Sequence, residues 1–264
     1  MNPPLSDSPP YPASDAGRSE NPGARPGPAG LVSLIIATYT EGETITGMIQ
    51  DILSHVRAPV EVIIVDDDSP DLTWKVVQDL RDPRVRLVRR TGTRGLASAI
   101  CRGILEARGE VIGWMDADMF MIPPLLPSML ASLESADIVI ASRYLPGGGD
   151  QRPKARVVTS LLLNRFASGV LGFGITDYAS SAGGILIRRR VLDTALPQPL
   201  GYGEHFIEFL YRCVRKGVRV KEVPYVLSER TVGASKSSPN PLHFFQLGLR
   251  YGLAVLRARF RWID

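Results

Sequence analysis

Five short β-branched runs recur along this sequence at nearly even spacing, and helical patterns lie between the first four. The runs begin 24 to 29 residues apart, which is the length of one strand, one helix and their connections. This alternation predicts an α/β fold with a mainly parallel sheet and helices on both faces. The predicted strands are Leu31–Ala37, Val60–Val65, Arg84–Val88, Val111–Met115 and Asp137–Ala141, and the predicted helices are Glu43–His55, Leu72–Leu80 and Leu96–Arg108.

The remaining sequence divides the chain into three regions. Residues 1–30 hold eight of the 21 prolines among Ser, Gly and Asp, which predicts a disordered leader. Residues 31–240 are long enough for one domain with a substantial core. Residues 241–264 contain a predicted amphipathic, cationic helix with an apolar stripe and a separate row of arginines. Beyond residue 150 the other predicted elements are helices Val157–Val170, Tyr202–Lys216 and Pro241–Trp262 and strands Gly184–Ile187 and Val218–Val226.

Composition limits the classes of function. The 264 residues are 44% apolar and 22% charged, with a net charge of +4, so the chain suits an anionic partner: a phosphorylated small molecule, an anionic membrane or nucleic acid. No nucleic-acid motif or dense basic tract is present. Only Cys101 and Cys213 occur, far apart and without a C-x-x-C or Cys/His cluster, so neither a disulfide framework nor a zinc site is indicated and a reducing cytoplasm is the expected location. No apolar run reaches the ~18 residues of a membrane span, and the N-terminus lacks the pattern of a signal peptide.

The second predicted strand runs directly into a group of acids. Asp66, Asp67 and Asp68 follow Val65, and Asp71 comes shortly after. Ligands of open parallel sheets bind beyond the carboxyl ends of the strands, where acids can accept hydrogen bonds from ribose hydroxyls or a base edge. Asp68 or the following serine could instead cap a helix, but three successive acids exceed the needs of capping because their mutual repulsion must be offset.

The fourth predicted strand also ends in acids, at Asp116-Ala117-Asp118. In extended backbone the two carboxylates of such a D-x-D fall on one face and can share a hard cation, either Mg²⁺ or Mn²⁺. One D-x-D alone is weak evidence, because surface turns contain many such pairs. Two acidic strand ends in one sheet describe a single crevice with places for a nucleoside and for a metal-bound diphosphate.

Several loops carry glycines and cations. The Arg89–Leu96 segment reads as a glycine turn before a helix that could approach an anion, although a flexible connection is an equally good interpretation because G-x-x-G falls short of the phosphate-loop patterns. Arginine and lysine in loops can bind phosphate. Such cations occur in Ser142–Tyr144, Arg152–Arg156 and Arg230–Lys236.

The order of these motifs resembles glycosyltransferase family 2, and within it the dolichyl- or polyprenyl-phosphate mannose synthases. The resemblance implies a GT-A fold, which is a single domain with a Rossmann-like sheet. It also implies a nucleotide-diphospho-sugar donor such as GDP-mannose and a polyprenyl phosphate acceptor. The matching stretches are Ile35–Glu41, Val65–Asp71, Gly95–Ala99, Met115–Asp118, Ala141–Tyr144, Glu222–Pro224 and Arg230–Lys236.

The resemblance also implies roles for individual residues. Asp118 and Arg143 are the implied catalytic residues, and Asp116 and Asp118 the implied ligands of Mg²⁺ or Mn²⁺. The implied nucleotide-sugar site is formed by Ala37, Tyr39, Glu41, Val65, Asp67, Asp116, Ala117 and Asp118. The implied phosphate and acceptor site is formed by Arg143, Arg156, Ser160, Arg230, Ser235 and Lys236.

The sequence departs from the family pattern at a few positions. Thr40 stands where asparagine is usual, Ala37 where proline is usual, and Phe120 where some relatives have a polar metal contact. The acceptor region reads Asp177–Gly183. Two alternatives therefore stay open, another donor such as UDP-glucose and a catalytically silent nucleotide-sugar-binding subunit.

The same resemblance leads us to expect a peripheral protein on the inner face of the cell membrane, without nucleic acid as a partner. The C-terminal helix either docks on anionic lipid or packs on the domain. An integral membrane protein is an expected partner.

Overall fold

The structure is a computed structural model that describes residues 30–178, 184–201, 203–228 and 241–260, without the side chains of 204, 205, 241–245 and 247. Residues 1–29 of the predicted leader and the Arg230–Lys236 loop lie outside these residues. One mixed sheet of seven strands organises the described chain. Its first half confirms the parallel prediction, because four strands pair in parallel in the order β3-β2-β1-β4. These strands are β1 (Val32–Thr38), β2 (Val60–Asp66), β3 (Val85–Arg89) and β4 (Val111–Asp116), connected by helices α1 (Ile45–His55), α2 (Thr73–Asp79) and α3 (Leu96–Glu106).

The second half of the sheet reverses one strand. The order continues from β4 through β7 and β5 to β8, and β7 runs antiparallel to both of its neighbours. The predicted strand Val218–Val226 pairs with the sheet only as far as Pro224, and the amide of Tyr225 donates the last ladder hydrogen bond, to the carbonyl of Ser142 at 3.0 Å. The strands are β5 (Ile138–Ser142), β7 (Ile185–Arg188) and β8 (Val220–Pro224), and β6 (Gly149–Asp150) and β9 (Val226–Leu227) form a separate parallel pair.

The helices of the second half include two that the sequence pattern did not predict, α4 and α6. Both are short, with seven and four residues, so neither shows enough turns for a helical period. The helices are α4 (Leu126–Ser132), which follows a 3₁₀ turn at Pro123–Leu125, α5 (Lys154–Leu171), α6 (Val191–Thr194), α7 (Glu204–Arg215) and α8 (Pro241–Phe260).

Apolar layers cover both faces of the sheet. All seven residues of β2 are buried, as expected of a parallel strand with helices on either side. On one face Ile35, Trp114 and Ile140 pack with α3, α5, α7 and α8. On the other face Leu34 and Ile64 pack with α1 and α4. The central strands are therefore buried on both faces, and the polar residues of a pocket lie at their carboxyl ends.

The basic triplet Arg188-Arg189-Arg190 is used within the fold. Arg188 donates to the carbonyl of Leu133 at 2.6 Å, and Arg189 donates to the carbonyls of Ala107 and Gly109 after α3, both at 2.7 Å. Arg190 pairs with Asp137. These arginines thus bind backbone carbonyls that follow α3 and α4 and one carboxylate of the fold itself. None of the helices in the described ranges is both long enough and apolar enough to cross a bilayer.

Candidate active site

A pocket of about 280 Å³ opens where β1, β2 and β4 end and α3 begins. The parallel register brings these ends together, since Ala37 lies beside both Val65 and Asp116. Seven of the eight residues predicted for the nucleotide-sugar site line this pocket; Val65 is fully buried in β2. The lining residues are Ala37, Thr38, Tyr39, Glu41, Asp67, Arg94, Gly95, Leu96, Ala99, Asp116, Ala117 and Asp118.

The acids after β2 have different surroundings. Asp66 is fully buried and accepts hydrogen bonds from the hydroxyls of Thr38 and Ser69, at 2.7 and 2.6 Å. Asp68 faces Arg89, whose Nε donates to it at 2.7 Å. The N-cap of α2 is Leu72, which makes no side-chain cap hydrogen bond, so neither Asp68 nor Ser69 has the capping role considered from the sequence. Of this run, only Asp67 is among the residues that line the pocket.

Asp71 joins the start of α2 to the turn that follows β1. It accepts hydrogen bonds from the amide and hydroxyl of Thr73, at 3.1 and 2.6 Å, and from the amide of Gly42 at 3.1 Å. Burial opposes ionisation, but these hydrogen bonds to Thr73 and Gly42 outweigh it and lower the pKa of the Asp71 carboxyl. Asp71 thereby fixes the chain just beyond Glu41.

Asp67 is held from behind the pocket. Its two carboxylate oxygens accept hydrogen bonds from Arg90 Nε at 2.7 Å and from the amide of Gly95 at 2.8 Å. The same loop places the guanidinium of Arg94 4.6 Å from the ring centre of Tyr39, within the range of a cation–π contact. Arg94 was not among the predicted site residues, although the Arg89–Leu96 segment was noted for its glycines and charge.

Asp116 and Asp118 are the two carboxylates that the sequence predicted as metal ligands. Asp116 ends β4, Asp118 follows two residues later, and both line the pocket. Among the residues the structure describes, no group of three or more Asp, Glu, His or Cys side chains could hold a metal ion. Two carboxylates fit Mg²⁺ or Mn²⁺ when substrate phosphates and water complete the coordination shell.

Phe120 lies outside the pocket. Its ring faces Gly47 on α1, where an added Cβ would come within 3.5 Å of the ring. Phe120 is 40% exposed and is not one of the pocket-lining residues. The position where some relatives carry a polar metal contact therefore contributes an apolar surface beside α1.

Arg143 is buried behind a second group of acids. Its Nε and Nη2 donate to the two oxygens of Asp177, both at 2.8 Å, and its Nη1 donates to Asp150 at 3.3 Å. Burial alone disfavours the charged guanidinium, but the bidentate pair with Asp177 outweighs it and raises the pKa of Arg143. Arg143 is only 6% exposed and is not among the lining residues of the pocket, so its catalytic role stays a prediction.

The glycine-rich loop before β6 has a steric reason. A Cβ on Gly148 would lie 2.6 Å from the carbonyl oxygen of Arg143, which is closer than a side chain tolerates. Only glycine lets this turn lie on the chain at Arg143. Asp150 follows two residues later and faces that same arginine.

The predicted acceptor residues are partly described. Ser160 on α5 accepts a hydrogen bond from Arg152 at 3.1 Å, and Arg152 also pairs with Asp150. Desolvation opposes ionisation of Asp150, but Arg152 and Arg143 lower its pKa. Arg156 lies on the same helix. Of the remaining predictions, Arg230, Ser235, Lys236 and residues 179–183 lie outside the described residues.

The segment that precedes residues 179–183 is anchored by Glu222. This carboxylate accepts hydrogen bonds from the amide and hydroxyl of Thr176, at 2.9 and 2.8 Å, and from the amide of Asp177 at 3.1 Å. Glu222 belongs to β8, the edge strand of the sheet. Asp177 is consequently fixed to the sheet as well as to Arg143.

Both cysteines are structural. Burial raises the pKa of the Cys101 thiol to about 11 and that of Cys213 to about 12. At neutral pH both remain thiols, which are poor nucleophiles.

The fold and the arrangement of its acids define a glycosyltransferase of the GT-A type, in which a pocket and a pair of carboxylates lie at the carboxyl ends of the parallel strands. The chain belongs to glycosyl transferase family 2, whose model matches residues 33–195. This confirms the resemblance noted from the motifs.

Relatives of known name lie within the same family. The chain is 34% identical over 214 residues to the dolichol-phosphate mannosyltransferase of Pyrococcus furiosus, covering 78% of this chain and 58% of that protein. It is 36% identical over 235 residues to the polyprenol monophosphomannose synthase of Mycolicibacterium smegmatis, covering 85% and 87%. It is 34% identical over 245 residues to the undecaprenyl-phosphate mannosyltransferase of Micrococcus luteus, covering 86% and 98%. The chain thus spans less than two thirds of the Pyrococcus protein.

Solved structures share the fold at lower identity. Glucosyl-3-phosphoglycerate synthase from Mycobacterium tuberculosis, in complex with Mn²⁺, UDP and glucosyl-3-phosphoglycerate, is 20% identical with a TM-score of 0.62, covering 89% of this chain and 81% of that one. The same synthase with Mg²⁺ and UDP gives a TM-score of 0.64, covering 89% and 80%. These likenesses show the GT-A fold.

Proposed function

We propose that this protein transfers mannose from GDP-mannose to a polyprenyl phosphate with inversion at the anomeric carbon, with the help of Mg²⁺ or Mn²⁺. The observation that carries the proposal is that Asp67 and Tyr39 line the same pocket as Asp116 and Asp118. The names of the three mannosyltransferase relatives support the sugar and the lipid class.

In the proposed reaction a phosphate oxygen of the acceptor attacks the anomeric carbon. The bond from that carbon to the diphosphate oxygen breaks, and its electron pair leaves with the nucleoside diphosphate. A phosphate monoester has a second pKa near 6 and is largely dianionic at neutral pH, so the attack needs little help from a base. The task of the protein is alignment of the two reactants and stabilisation of their negative charge.

Each wall of the pocket has a part in this proposal. Asp116 and Asp118 hold the cation, which when bound neutralises the donor diphosphate and stabilises the leaving group. Arg94 lies on the ring of Tyr39, and this pair, together with Glu41 and Asp67, borders the space proposed for the nucleoside. Arg143, Arg156, Arg230, Ser235 and Lys236 are proposed to meet the phosphates, together with Ser160.

A second donor is a specific alternative. The structural neighbour from Mycobacterium tuberculosis binds UDP-glucose with Mn²⁺, and its fold matches this chain. UDP-glucose with the same lipid acceptor is therefore the alternative reaction. It differs from the first proposal in the base and sugar that the pocket must accept.

Helices α5 and α8 form a surface suited to an anionic lipid bilayer. The two helices pack against one another, and each leaves apolar side chains exposed. Neither helix contains Asp or Glu, whereas together they carry Lys154, Arg156, Arg165, Arg250, Arg257 and Arg259. The exposed apolar side chains are Val158, Leu162 and Phe166 on α5 and Leu249, Leu253, Leu256 and Phe260 on α8. We call this surface the α5–α8 face.

Charge selects the proposed occupant of the α5–α8 face. Apolar stripes flanked by arginine match the acyl boundary and the phosphates of an anionic membrane. We accordingly propose peripheral attachment to the inner face of the cell membrane, where a polyprenyl phosphate would be reached. An integral membrane protein is a further proposed partner.

The test of the reaction compares donors and variants in parallel. Purified protein is incubated with a polyprenyl phosphate, Mg²⁺ or Mn²⁺, and labelled GDP-mannose or UDP-glucose, and the label extracted into organic solvent is counted. We expect transfer from GDP-mannose that EDTA abolishes and that Asp118→Ala lowers by roughly two to three orders of magnitude, because charge stabilisation in the transition state is lost.

Asp79→Ala is the matched control, since Asp79 is an exposed acid on α2 that pairs with Lys75. It should transfer at the wild-type rate. Label from UDP-glucose alone would overturn the donor. Absence of transfer from both donors, with nucleotide binding intact, would favour the silent subunit.

A further inference from the structure

The loop between β3 and α3 forms one wall of the pocket and is tied down from behind. Residues 91–95 are exposed, and Arg94 and Gly95 line the pocket, where the guanidinium of Arg94 lies against the ring of Tyr39. A wall made of an exposed loop keeps its place only if something fixes it, because such loops are the mobile parts of a domain. The width of the nucleotide site therefore depends on what holds this loop.

Arg90 makes the connections that hold it. Its amide donates to the carbonyl of Asp66 at 2.8 Å, which continues the β2–β3 ladder. Its guanidinium donates to Asp67 through Nε at 2.7 Å, to Ser98 Oγ through Nη1 at 3.0 Å, and to the carbonyl of Gly95 through Nη2 at 3.2 Å. One side chain thus joins the end of β2 to the first turn of α3, on either side of the exposed loop.

The geometry requires arginine at this place. A planar guanidinium can reach three acceptors in different directions, whereas a lysine ammonium is a single point on a flexible stem. The side chains of Arg90 and Asp67 are 9% and 8% exposed, so each would leave a buried charge if the other were removed. Asp67 is also engaged by the Gly95 amide, which places both of its oxygens in the support of the loop.

We propose that Arg90 is a positioning residue of the nucleotide site, and that Asp67 contributes to nucleotide affinity chiefly through Arg90 and Gly95. Arg90 is not among the residues that line the pocket, so it acts by holding Gly95, whose neighbour Arg94 then lies on the ring of Tyr39. This inference rests on the proposed function, since it assumes that a nucleoside diphosphate occupies the pocket. It assigns a role to an arginine that motif comparison left without one.

The first experiment uses Arg90→Met, which removes the charge and keeps the length of the side chain. We expect the Kd for GDP in the presence of Mg²⁺, measured by calorimetry, to rise about tenfold, the effect of losing charged hydrogen bonds. The KM for the sugar nucleotide should rise similarly, with a smaller change in kcat. Hydrogen exchange at the amides of residues 95–99 should be faster in the free variant.

Two further variants make the outcome specific. Arg89→Met is the matched control, because the adjacent Arg89 is 40% exposed, pairs with Asp68 and stacks on Trp74 at 3.7 Å; it should bind GDP as the wild type does. Compared with Arg90→Met, Arg90→Lys should recover more of the free energy of unfolding than of the affinity for GDP. A loss of unfolding free energy in Arg90→Met with unchanged Kd and unchanged exchange would overturn the proposal.

A double-mutant cycle separates the two roles of Asp67. If Asp67 acts through Arg90, Asp67→Asn and Arg90→Met should each weaken GDP binding, and the double variant should bind no worse than the weaker single variant. Additive losses would show that Asp67 meets the nucleotide independently and would overturn that part. If the wild type bound no GDP or UDP, the proposed function would fail, while hydrogen exchange in the free protein would still decide whether Arg90 holds the loop.

Discussion

At the scale of single residues, neighbouring acids of identical chemistry do different work because their partners differ. Asp66 is enclosed by hydroxyls, Asp67 by Arg90 and a backbone amide, and Asp68 by Arg89. The two guanidinium groups offset the repulsion that three successive carboxylates would otherwise suffer. Only the middle acid of this run lines the pocket. Three residues that form one motif in the sequence therefore have three environments: Asp66 is buried, Asp67 borders the pocket and Asp68 forms an ion pair at the surface.

Arg94 gives a prediction at this scale. Replacing it by Ala removes the cation from the ring of Tyr39 and should raise the Kd for GDP about three- to tenfold, the range expected of a cation–π contact in a partly exposed site. Calorimetry with Mg²⁺ measures the change.

Arg102→Ala is the control, since Arg102 lies on α3 and pairs with Glu106 on an exposed face. Equal affinity in the wild type and Arg94→Ala would show that the Tyr39 contact does not serve the nucleotide.

Sequence reasoning found the residues that a strand end must carry and missed those placed by distant partners. Asp67 and Asp116 follow buried strands, and the rule that ligands bind at carboxyl ends is enough to bring them together. Arg143 also follows a strand, but its guanidinium faces Asp177, which is 34 positions away in sequence. No local pattern shows that pairing, so the burial of Arg143 could not be foreseen.

At the scale of elements, the first half of the sheet was predictable and the second half was not. Each of the first five strands follows from a β-branched run, and four of them pair in parallel as the spacing requires. β7 is equally short and apolar, but its direction depends on the course of the chain between α5 and Ile185. Because its neighbours β4 and β5 are both parallel-sheet strands, hydrophobicity alone gives no sign of the reversal.

Asp137 connects elements across this reversed strand. It accepts hydrogen bonds from Arg190 after β7 and from Arg219 before β8, at 2.5 and 3.1 Å. Desolvation opposes ionisation, but Arg190 and Arg219 outweigh it and hold the pKa of Asp137 below the ordinary value of 3.8. Its stabilising effect should therefore be present above about pH 4 and be lost as pH falls toward the lowered pKa.

The variant Asp137→Asn tests this link. Urea unfolding at pH 7 should show a loss of about 1 kcal/mol or less, since both guanidinium groups are more than half exposed and solvent screens them. The difference from the wild type should shrink at pH 3.

Asp79→Asn, on the exposed side of α2, should leave the free energy of unfolding within about 0.5 kcal/mol of the wild type at pH 7. A difference between Asp137→Asn and the wild type that is the same at both pH values would mean that the charge of Asp137 does not contribute.

At the scale of the whole molecule, α8 presents two faces with separate uses. Tyr251, Val255 and Ala258 are buried against the domain, while Leu253 and Leu256 belong to the exposed α5–α8 face. The sequence offered packing and lipid docking as alternatives for this helix. The structure shows one side of α8 packed on the domain, and we propose that the opposite, exposed side contacts lipid.

Vesicle binding tests the α5–α8 face. Leu162→Glu and Leu253→Glu should each lower partitioning onto vesicles containing phosphatidylglycerol by about tenfold, because each forfeits the burial of a leucine and adds an anion. Flotation measures the bound fraction, and binding of the wild type should weaken with salt.

Leu105→Glu is the matched control, since Leu105 is an exposed leucine on α3, away from this face. If it lowered partitioning as much as the other two, the α5–α8 face would not be the docking surface. Wild-type binding to neutral phosphatidylcholine vesicles as strong as to anionic ones would exclude the proposed role of the arginines.

Because α8 is already folded against the domain, its 20 residues would lose no further backbone conformational entropy on binding a bilayer. A peptide that becomes helical only on lipid loses roughly 1–2 kcal/mol for each residue it orders, and that loss is subtracted from its affinity. Here the circular dichroism of the protein would stay the same when vesicles are added. Docking would instead fix the orientation of a rigid body, so the tilt of the pocket above the lipid would be set by the sheet.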